Sequence, residues 1–174
     1  MKAIMRYTNI SDLDNIYNLQ INCFNVSDQW YKYIISQYLN DGIIIELCEN
    51  KKIIGVLLQG DINIFENENF NNNFIPITDK GHKFIKNMDH IKTNYGIVMI
   101  CIDPLYRRKG LASKLIIKHQ QNNSKKILCL NTRKSNIQAI ELYKKLGYEH
   151  IGDIKNKYFF PIEDSNFMIF NYNH

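Results

Sequence analysis

The first part of the chain alternates between helix-like and strand-like patterns of apolar residues. Leu13, Ile16, Tyr17 and Ile21 recur at three- and four-residue spacing, which predicts an amphipathic helix with Ser11 as its N-cap. Apolar runs on either side of a polar turn are typical of a β-hairpin. The pattern predicts strands at 3–8, 43–48 and 53–59, a turn at 49–52, and a second helix at 27–39.

The second half of the chain repeats a strand followed by a helix. A strand at 97–102 stops at Pro104, and apolar residues then recur at helical spacing from position 111. Gly147 is a natural residue to follow the end of a later helix. The remaining pattern predicts a strand at 127–131, a helix at 136–146, and strands at 148–154 and 167–172. This order predicts an α/β fold with helices packed on a sheet of mixed sense.

Residues 61–94 interrupt this pattern with a polar, asparagine-rich stretch. We interpret it as a low-complexity insertion, either functional or mobile, in a single domain that spans 1–174. Its aromatic and aliphatic residues are the candidates to anchor part of it: Phe65, Phe70, Phe74, Ile75 and Phe84.

Composition narrows the class of protein. The chain has 174 residues, 45% hydrophobic and 22% charged, as is usual for a soluble globular protein. Its net charge of +5 comes from lysines spread along the chain, which favours small anionic ligands over a nucleic-acid surface. The first residues lack the apolar core of a secretory signal, and no apolar run approaches the ~18 residues of a membrane span. We therefore expect a cytoplasmic protein that is not bound to a membrane.

The cysteines and histidines show no spacing typical of a metal site. Cys23, Cys48, Cys101 and Cys129 form no CxxC pair, and three of them lie in or beside apolar runs. The five histidines have no metal-ligand spacing either. We expect free thiols, a reducing compartment and no metal.

The junction between the strand at 97–102 and the next helix carries charges of the wrong sign for a helix start. Arg107, Arg108 and Lys109 precede Gly110, and we expect them in the first turn of the helix. A helix N-terminus favours anions by about 0.3–1 kcal/mol per group. Three cations there indicate that a phosphate-bearing ligand binds, although a solvated cationic surface is the alternative.

This junction resembles the acetyl-CoA-binding motif of the GNAT acetyltransferases, in which a strand and Pro precede Arg or Gln-x-x-Gly-x-Gly or Ala. Arg107, Gly110 and Ala112 fill those places. The resemblance implies the GNAT fold, with a mixed, mostly antiparallel central sheet and helices on both faces, and acetyl-CoA as co-substrate. It implies a loop whose backbone N–H groups hold the pyrophosphate of CoA and a strand N–H that serves as oxyanion donor. The implied cofactor-binding residues are Ile100, Cys101, Ile102, Arg107, Arg108, Lys109, Gly110, Leu111, Ala112 and Ser113.

A second motif follows on the predicted helix at 136–146. Asn136, Ala139 and Tyr143 share one face of that helix, and a capping asparagine with a buried tyrosine would explain the pair alone. Together with Gly147 and Tyr148, the segment resembles the second GNAT motif. The resemblance implies that Asn136 binds the pantetheine arm and that Tyr143, near the thioester sulfur, is the general acid.

The residue that would take the proton from the attacking amine is less evident. In relatives that acetylate protein N-termini, a His or Glu lies five residues before the asparagine of the second motif. Asn131 occupies that position and can orient a water but cannot take a proton. Tyr95 matches a tyrosine that relatives acting on Met-hydrophobic termini use, so we predict it as base or water-positioner, with a strand aromatic as the alternative. An α-amine, with a pKa of about 7.7–8.0, needs less help than a lysine at about 10.4.

Two further stretches resemble acceptor-binding segments. Phe24 and Val26, near Tyr31, resemble the Phe-Pro-Val segment that lines the first-residue pocket of N-α-acetyltransferases, with Asn25 in place of proline. Segments 155–158 and 163–168 resemble those of bacterial ribosomal-protein alanine acetyltransferases, in which a tyrosine pair grips the acceptor backbone. Tyr158 matches that pair, whereas a lysine replaces the first tyrosine. Core aromatics and a polar hairpin loop are the alternative explanations.

Three functions are compatible with these motifs. The preferred hypothesis is acetyl transfer from acetyl-CoA to the α-amine of a peptide or protein N-terminus, alone or with an auxiliary subunit. The alternatives are a small-molecule amine acetyltransferase and a non-catalytic acyl-CoA-binding sensor.

Overall fold

The computed structural model describes residues 2–61, 73–86 and 94–170. The chain divides into two compact units, residues 1–60 with 97–122, and residues 61–96 with 123–174. The described residues form strands β1 (Ala3–Tyr7), β2 (Ile43–Leu47), β3 (Ile53–Asp61), β4 (Phe74–Pro76), β5 (Asn94–Ile102), β6 (Ile127–Arg133), β7 (Glu149–Phe159) and β8 (Ile162–Phe170). They also form helices α1 (Leu13–Cys23), α2 (Lys32–Gln37), α3 (Asp79–Lys86), α4 (Leu111–Asn122) and α5 (Ile137–Lys145).

In the first unit, β1, β2, β3 and β5 lie side by side in that order, and β2 is antiparallel to both neighbours. Because side chains alternate along a strand, Ile44 and Val56 point to one face, where they pack with Ile16 of α1. On the other face, a Cβ added to Gly55 would lie 3.6 Å from the Leu115 side chain of α4. Helices therefore cover both faces of these strands.

In the second unit, β6, β8, β7 and β4 lie in that order, and each adjacent pair is antiparallel. Phe84 of α3 packs on Phe167 of β8, with ring centroids 5.6 Å apart. On α5, the ring of Tyr143 meets that of Tyr148 at 5.7 Å, and Tyr148 meets Phe170 at 5.4 Å. The predicted α/β fold with a mostly antiparallel sheet is thus confirmed.

Part of the predicted insertion is ordered secondary structure, since it contains β4 and α3. Phe74 and Phe84 are buried in one apolar cluster, as predicted, whereas Ile75 is 46% exposed and does not anchor it. A Cβ on Gly81 would overlap the Ile151 carbonyl oxygen, so the glycine lets α3 lie directly on the β7 backbone. Phe65 and Phe70 lie outside the described residues.

The predicted helix at 27–39 is present but shorter than expected, because α2 covers only Lys32–Gln37. A single 3₁₀ turn occupies Val26–Asp28, and α2 begins only at Lys32. Gln20 of α1, fully buried, explains the break. Its side chain accepts from the Trp30 N–H at 3.0 Å and donates to the Trp30 carbonyl at 3.1 Å, which occupies the backbone groups that a continuous helix would use.

Two predicted helix starts also need correction. A 3₁₀ turn at Ile10–Asp12 leads into α1, and its N-cap is Asn9 rather than Ser11. The Asn9 side chain accepts from the Ser11 N–H, and Asp12 completes a capping box. The three cations at 107–109 lie in the turn before α4 rather than in its first turn, because α4 begins at Leu111. No helix among the described residues has the length and apolar character needed to cross a membrane.

Candidate active site

A tight, rigid turn connects β5 to α4. Asp103 is buried and caps the 3₁₀ turn Pro104–Tyr106 by accepting the Leu105 N–H at 3.0 Å. Burial raises the pKa of Asp103, but the Lys52 ammonium at 2.8 Å and the Leu105 N–H outweigh it, so the pKa is lowered. Asp103 therefore stays ionised and fixes the loop that follows.

That loop has a backbone suited to binding an anion. Arg108 and Gly110 both adopt left-handed conformations, with φ of 61° and 72°. Left-handed residues next to right-handed or extended ones turn successive N–H groups toward one point, which forms an anion-binding concavity. A Cβ built on Gly110 meets no atom within 4 Å, so open space lies in front of the loop. The non-glycine Arg108 holds a conformation that costs energy, as residues at functional sites often do.

Cationic side chains surround this loop. Arg107 donates through Nε to the Ile102 carbonyl at 3.1 Å. The ammonium groups of Lys109 and Lys52 lie 5.2 and 5.3 Å from the Tyr106 ring centroid. Arg107, Arg108 and Lys109 are all solvent-exposed. Cationic side chains and N–H groups at the start of α4 thus share one surface, which is suited to a phosphate ligand.

In the second unit, Asn136 and Tyr143 belong to the same helix. The Asn136 carboxamide oxygen accepts from the Ala139 N–H at 3.3 Å and caps α5. Because that oxygen serves the cap, the amide NH₂ is the group available to a ligand carbonyl. Tyr143 is 5% exposed. Burial, and then the nearby Tyr158, raise the pKa of Tyr143 above its usual range, so its phenol stays protonated as a hydrogen-bond donor.

An arginine that the sequence interpretation missed organises the surroundings of Tyr158. The Arg133 guanidinium lies 4.2 Å from the Tyr158 ring centroid and 3.2 Å from the Glu163 carboxylate. Arg133 also donates to two carbonyls of the β7–β8 turn, at Phe160 and Pro161. Its position on β6 opposite the 163–168 segment was the only signal that could have indicated it.

Glu163 connects this cluster to the start of α5. It accepts hydrogen bonds from the Ser135 N–H and, at 3.0 Å, from the Ser135 hydroxyl. Burial raises the pKa of Glu163, but the hydrogen bonds from Ser135 and Arg133 lower it further than burial raises it. Glu163 therefore stays ionised, and its hydrogen bonds hold in place the turn immediately before Asn136.

Asn131 and Tyr95 occupy different positions along the same unit. The Asn131 Oδ1 atom is buried and has no hydrogen-bond partner among the described residues. Asn131 pairs with Phe167 across β6 and β8. Tyr95 is 6% exposed, and the Lys126 ammonium lies 3.7 Å from its ring centroid. The role of Tyr95 as a base stays a prediction.

The remaining acceptor candidates follow α1. Phe24 is half-buried and packs against the apolar cluster of the first unit, whereas Val26 and Tyr31 are 85% and 71% exposed. Asn25 has a φ of −62°, the value that proline would fix. The backbone at Asn25 is therefore compatible with proline, the residue that the resembling segment has at this position.

Residues 13–148 match the model of the acetyltransferase (GNAT) family. The chain belongs to the GNAT acetyltransferase family. This membership covers both the loop at Arg107–Gly110 and the helix that carries Tyr143, and it confirms the predicted fold and the predicted acetyltransferase class.

Relatives of this GNAT acetyltransferase include proteins that modify N-termini. An N-alpha-acetyltransferase from Saccharolobus solfataricus is 24% identical over 162 residues, 88% of this chain and 84% of that protein. The ribosomal-protein-S18-alanine N-acetyltransferase from Escherichia coli superposes with a TM-score of 0.71 at 17% identity, covering 99% of this chain and 96% of the other. Arabidopsis thaliana NAA60 in complex with acetyl-CoA gives 0.74 at 16% identity, covering 97% and 99%.

No group of three or more His, Cys, Asp or Glu residues within the described ranges is arranged to hold a metal ion.

Proposed function

We propose that the protein transfers the acetyl group of acetyl-CoA to the α-amine of a peptide or protein N-terminus. The acceptor assignment depends on the protonation of Glu163, the carboxylate that pairs with Tyr158 across β7 and β8. Glu163 is held by Arg133 and Ser135 with a lowered pKa, which makes it a poor base. An acceptor that loses its own proton near neutral pH suits such a site, and an α-amine does so at about pH 7.7–8.0.

The cofactor is assigned from the cationic loop and the family. The N–H groups and cations of Arg107–Gly110 would hold the pyrophosphate of acetyl-CoA, and the open space at Gly110 lets phosphate approach the backbone. The free NH₂ of Asn136 would bind a carbonyl of the pantetheine arm.

The reaction forms a C–N bond and an S–H bond and breaks a C–S bond and an N–H bond. The amine nitrogen attacks the thioester carbonyl carbon, the C–S bond breaks, a proton leaves nitrogen, and sulfur ends as a thiol. Tyr143, with its raised pKa, suits hydrogen-bond donation to the sulfur as negative charge develops there. The unpartnered Asn131 oxygen is suited to accept from the attacking amine or from a water that removes its proton.

Tyr158 is assigned to the acceptor. Arg133 stacks on its ring, which holds the Tyr158 side chain in one position beside the β7–β8 turn. We expect Tyr158→Phe to raise KM for the peptide about two- to tenfold, the equivalent of one hydrogen bond of about 0.5–1.5 kcal/mol, with a smaller change in kcat. Tyr7→Phe, at a side chain 56% exposed in the other unit, is the matched control.

The acceptor is tested with purified protein, acetyl-CoA and three kinds of amine. These are short peptides with varied first residues, the same peptides blocked at the N-terminus with one internal lysine, and a polyamine. Mass spectrometry should show acetylation of free N-termini alone. Turnover of the polyamine without peptide turnover would indicate a small-molecule acetyltransferase instead. Binding of CoA without turnover of any amine would indicate a sensor.

The location of the protein is part of the proposal. All four cysteines are free thiols, which is consistent with a reducing, intracellular compartment. Fractionation of cells that produce the protein, followed by immunoblotting, tests this assignment.

A further inference from the structure

Two cysteines meet beside the anion-binding loop of the first unit. Cys23 is the last residue of α1, and Cys101 lies on β5 one residue before Ile102. Cys23 packs against the apolar cluster that contains Cys101. The Cys23 thiol also donates to the Ile102 carbonyl, with Sγ and O 3.3 Å apart. Neither contact is required by the acetyl-transfer chemistry.

The two thiols differ in access to solvent and in electrostatic surroundings. Cys23 is half-buried, whereas Cys101 is 5% exposed within the apolar cluster of α1, α2 and the strands. Arg107 donates to the same Ile102 carbonyl that Cys23 uses, at 3.1 Å, so its guanidinium lies near the Cys23 sulfur. A cation beside a thiol favours the thiolate, which is the nucleophilic form.

We propose that Cys23 and Cys101 form a peroxide-sensitive thiol pair, in which Cys23 is oxidised first and Cys101 closes an intramolecular disulfide. The proposal concerns a modification site and does not rest on the proposed acceptor. The pair differs from a lone buried cysteine because Cys23 packs against the cluster that contains Cys101, and its sulfur lies 3.3 Å from the carbonyl oxygen of the next residue along β5, Ile102.

The chemistry balances with hydrogen peroxide as the oxidant. The Cys23 thiolate attacks one peroxide oxygen, the O–O bond breaks, and Cys23 becomes a sulfenic acid while hydroxide takes a proton and leaves as water. The Cys101 sulfur then attacks the Cys23 sulfur, an S–S bond forms and the S–O bond breaks. The Cys101 proton leaves with that oxygen as a second water. Two thiols thus give two electrons to one peroxide.

The hydrogen bond from Cys101 lowers the pKa of Cys23, burial opposes it, and Arg107 lowers it further, to about 7. The pKa of Cys101 is raised well above its ordinary value, first by Cys23 and then by burial. These directions agree with the order of events, since Cys23 supplies the thiolate and Cys101 remains a thiol until the sulfenic acid forms.

The test uses the reduced full-length protein and one equivalent of hydrogen peroxide. Any unreacted peroxide is removed, and the remaining thiols are alkylated in denaturant. The peptides are then mapped by mass spectrometry. We expect two of the four thiols to be lost, a linked Cys23–Cys101 peptide to appear, and dithiothreitol to restore both. Cys48→Ser, which removes the other half-buried thiol, should behave like the wild type.

Two variants separate the roles. In Cys101→Ser, oxidation should stop at a Cys23 sulfenic acid that dimedone traps. In Cys23→Ser, Cys101 should remain reduced at the same dose. The wild-type peptide map alone decides the proposal if a variant fails to fold. Oxidation at Cys48 in preference to Cys23, a persistent Cys23 sulfenic acid in the wild type, or a disulfide only between two molecules would each overturn it.

Discussion

A single methyl group added at Gly110 should separate effects on cofactor binding from effects on folding. Its φ of 72° strains any other residue by roughly 1–2 kcal/mol, and its missing side chain leaves open space at the loop. We expect Gly110→Ala to weaken acetyl-CoA binding at least tenfold, because the methyl group would occupy the space that phosphate needs. Isothermal titration calorimetry with CoA measures the change.

Arg108→Gly is the matched control, since it relieves a left-handed non-glycine residue two positions away. It should raise the melting temperature while it weakens CoA binding only through the lost cation. Unchanged CoA affinity in Gly110→Ala would show that phosphate does not approach this loop.

The stability of the protein at low pH depends on the hydrogen bonds that the buried Asp12 side chain accepts. Arg6 donates to both of its oxygens at 2.8 Å, and these bonds lower the pKa of Asp12. A lowered pKa means stabilisation that is complete above the unfolded value of about 3.9 and is lost as pH falls through the folded pKa. We expect Asp12→Asn to lose about 1–3 kcal/mol at pH 7 and to show a shallower decline in acid.

Urea unfolding from pH 7 to pH 2 measures that prediction. Asp14→Asn is the control, because the Asp14 side chain is 74% exposed in its ion pair with Lys32 and such pairs contribute little. Equal acid slopes for the wild type and Asp12→Asn would contradict the assigned network.

The connection between α1 and α2 shows how a residue substitution can preserve the backbone of an element. Asn25 has a φ of −62°, and Phe24 before it is extended at φ −117° and ψ 150°, both compatible with proline. We expect Asn25→Pro to fold normally and to gain about 0.4–1 kcal/mol, because the unfolded chain loses freedom. Differential scanning calorimetry should show a rise of about 1–4 °C.

Asn25→Gly is the opposite control and should lower the melting temperature, because it adds freedom to the unfolded chain. If proline destabilised the protein, the connection would differ from the Phe-Pro-Val segment it resembles.

At the level of elements, helical periodicity located α1, α2 and α5 but placed the start of α2 too early, at 27 instead of Lys32. Local spacing there is compatible with a helix, and the break depends on Gln20, ten residues earlier, which binds the Trp30 backbone. A pattern read over a window of neighbours contains no information on such a contact. The same reason hid α3, since its helix lies against the β7 backbone through Gly81 within a polar, asparagine-rich stretch.

For the whole molecule, the proposed α-amine acceptor implies a specific dependence of kcat/KM on pH. If an α-amine attacks without a strong base, kcat/KM for a peptide should rise with pH and level off above about 7.7–8.0, because only the unprotonated amine reacts. Stopped assays that follow CoA release across pH 6–10 measure it.

Asn131→His sharpens the same test, because it places an imidazole where the unpartnered carboxamide oxygen now lies. We expect activity to extend to lower pH in that variant. A wild-type profile that rises only near pH 10 would favour a lysine-like acceptor.

The amino-acid sequence by itself determined the fold class, the two GNAT motifs and the candidate residues they carry, because strand and helix periods and short motifs are local properties of the chain. Tertiary structure decided what no local pattern contains. Arg133 stacks on Tyr158, 25 positions away, and Glu163 pins the turn before Asn136. Cys23 and Cys101 likewise lie far apart in the chain, and only the packing of α1 on the strands brings them into one cluster.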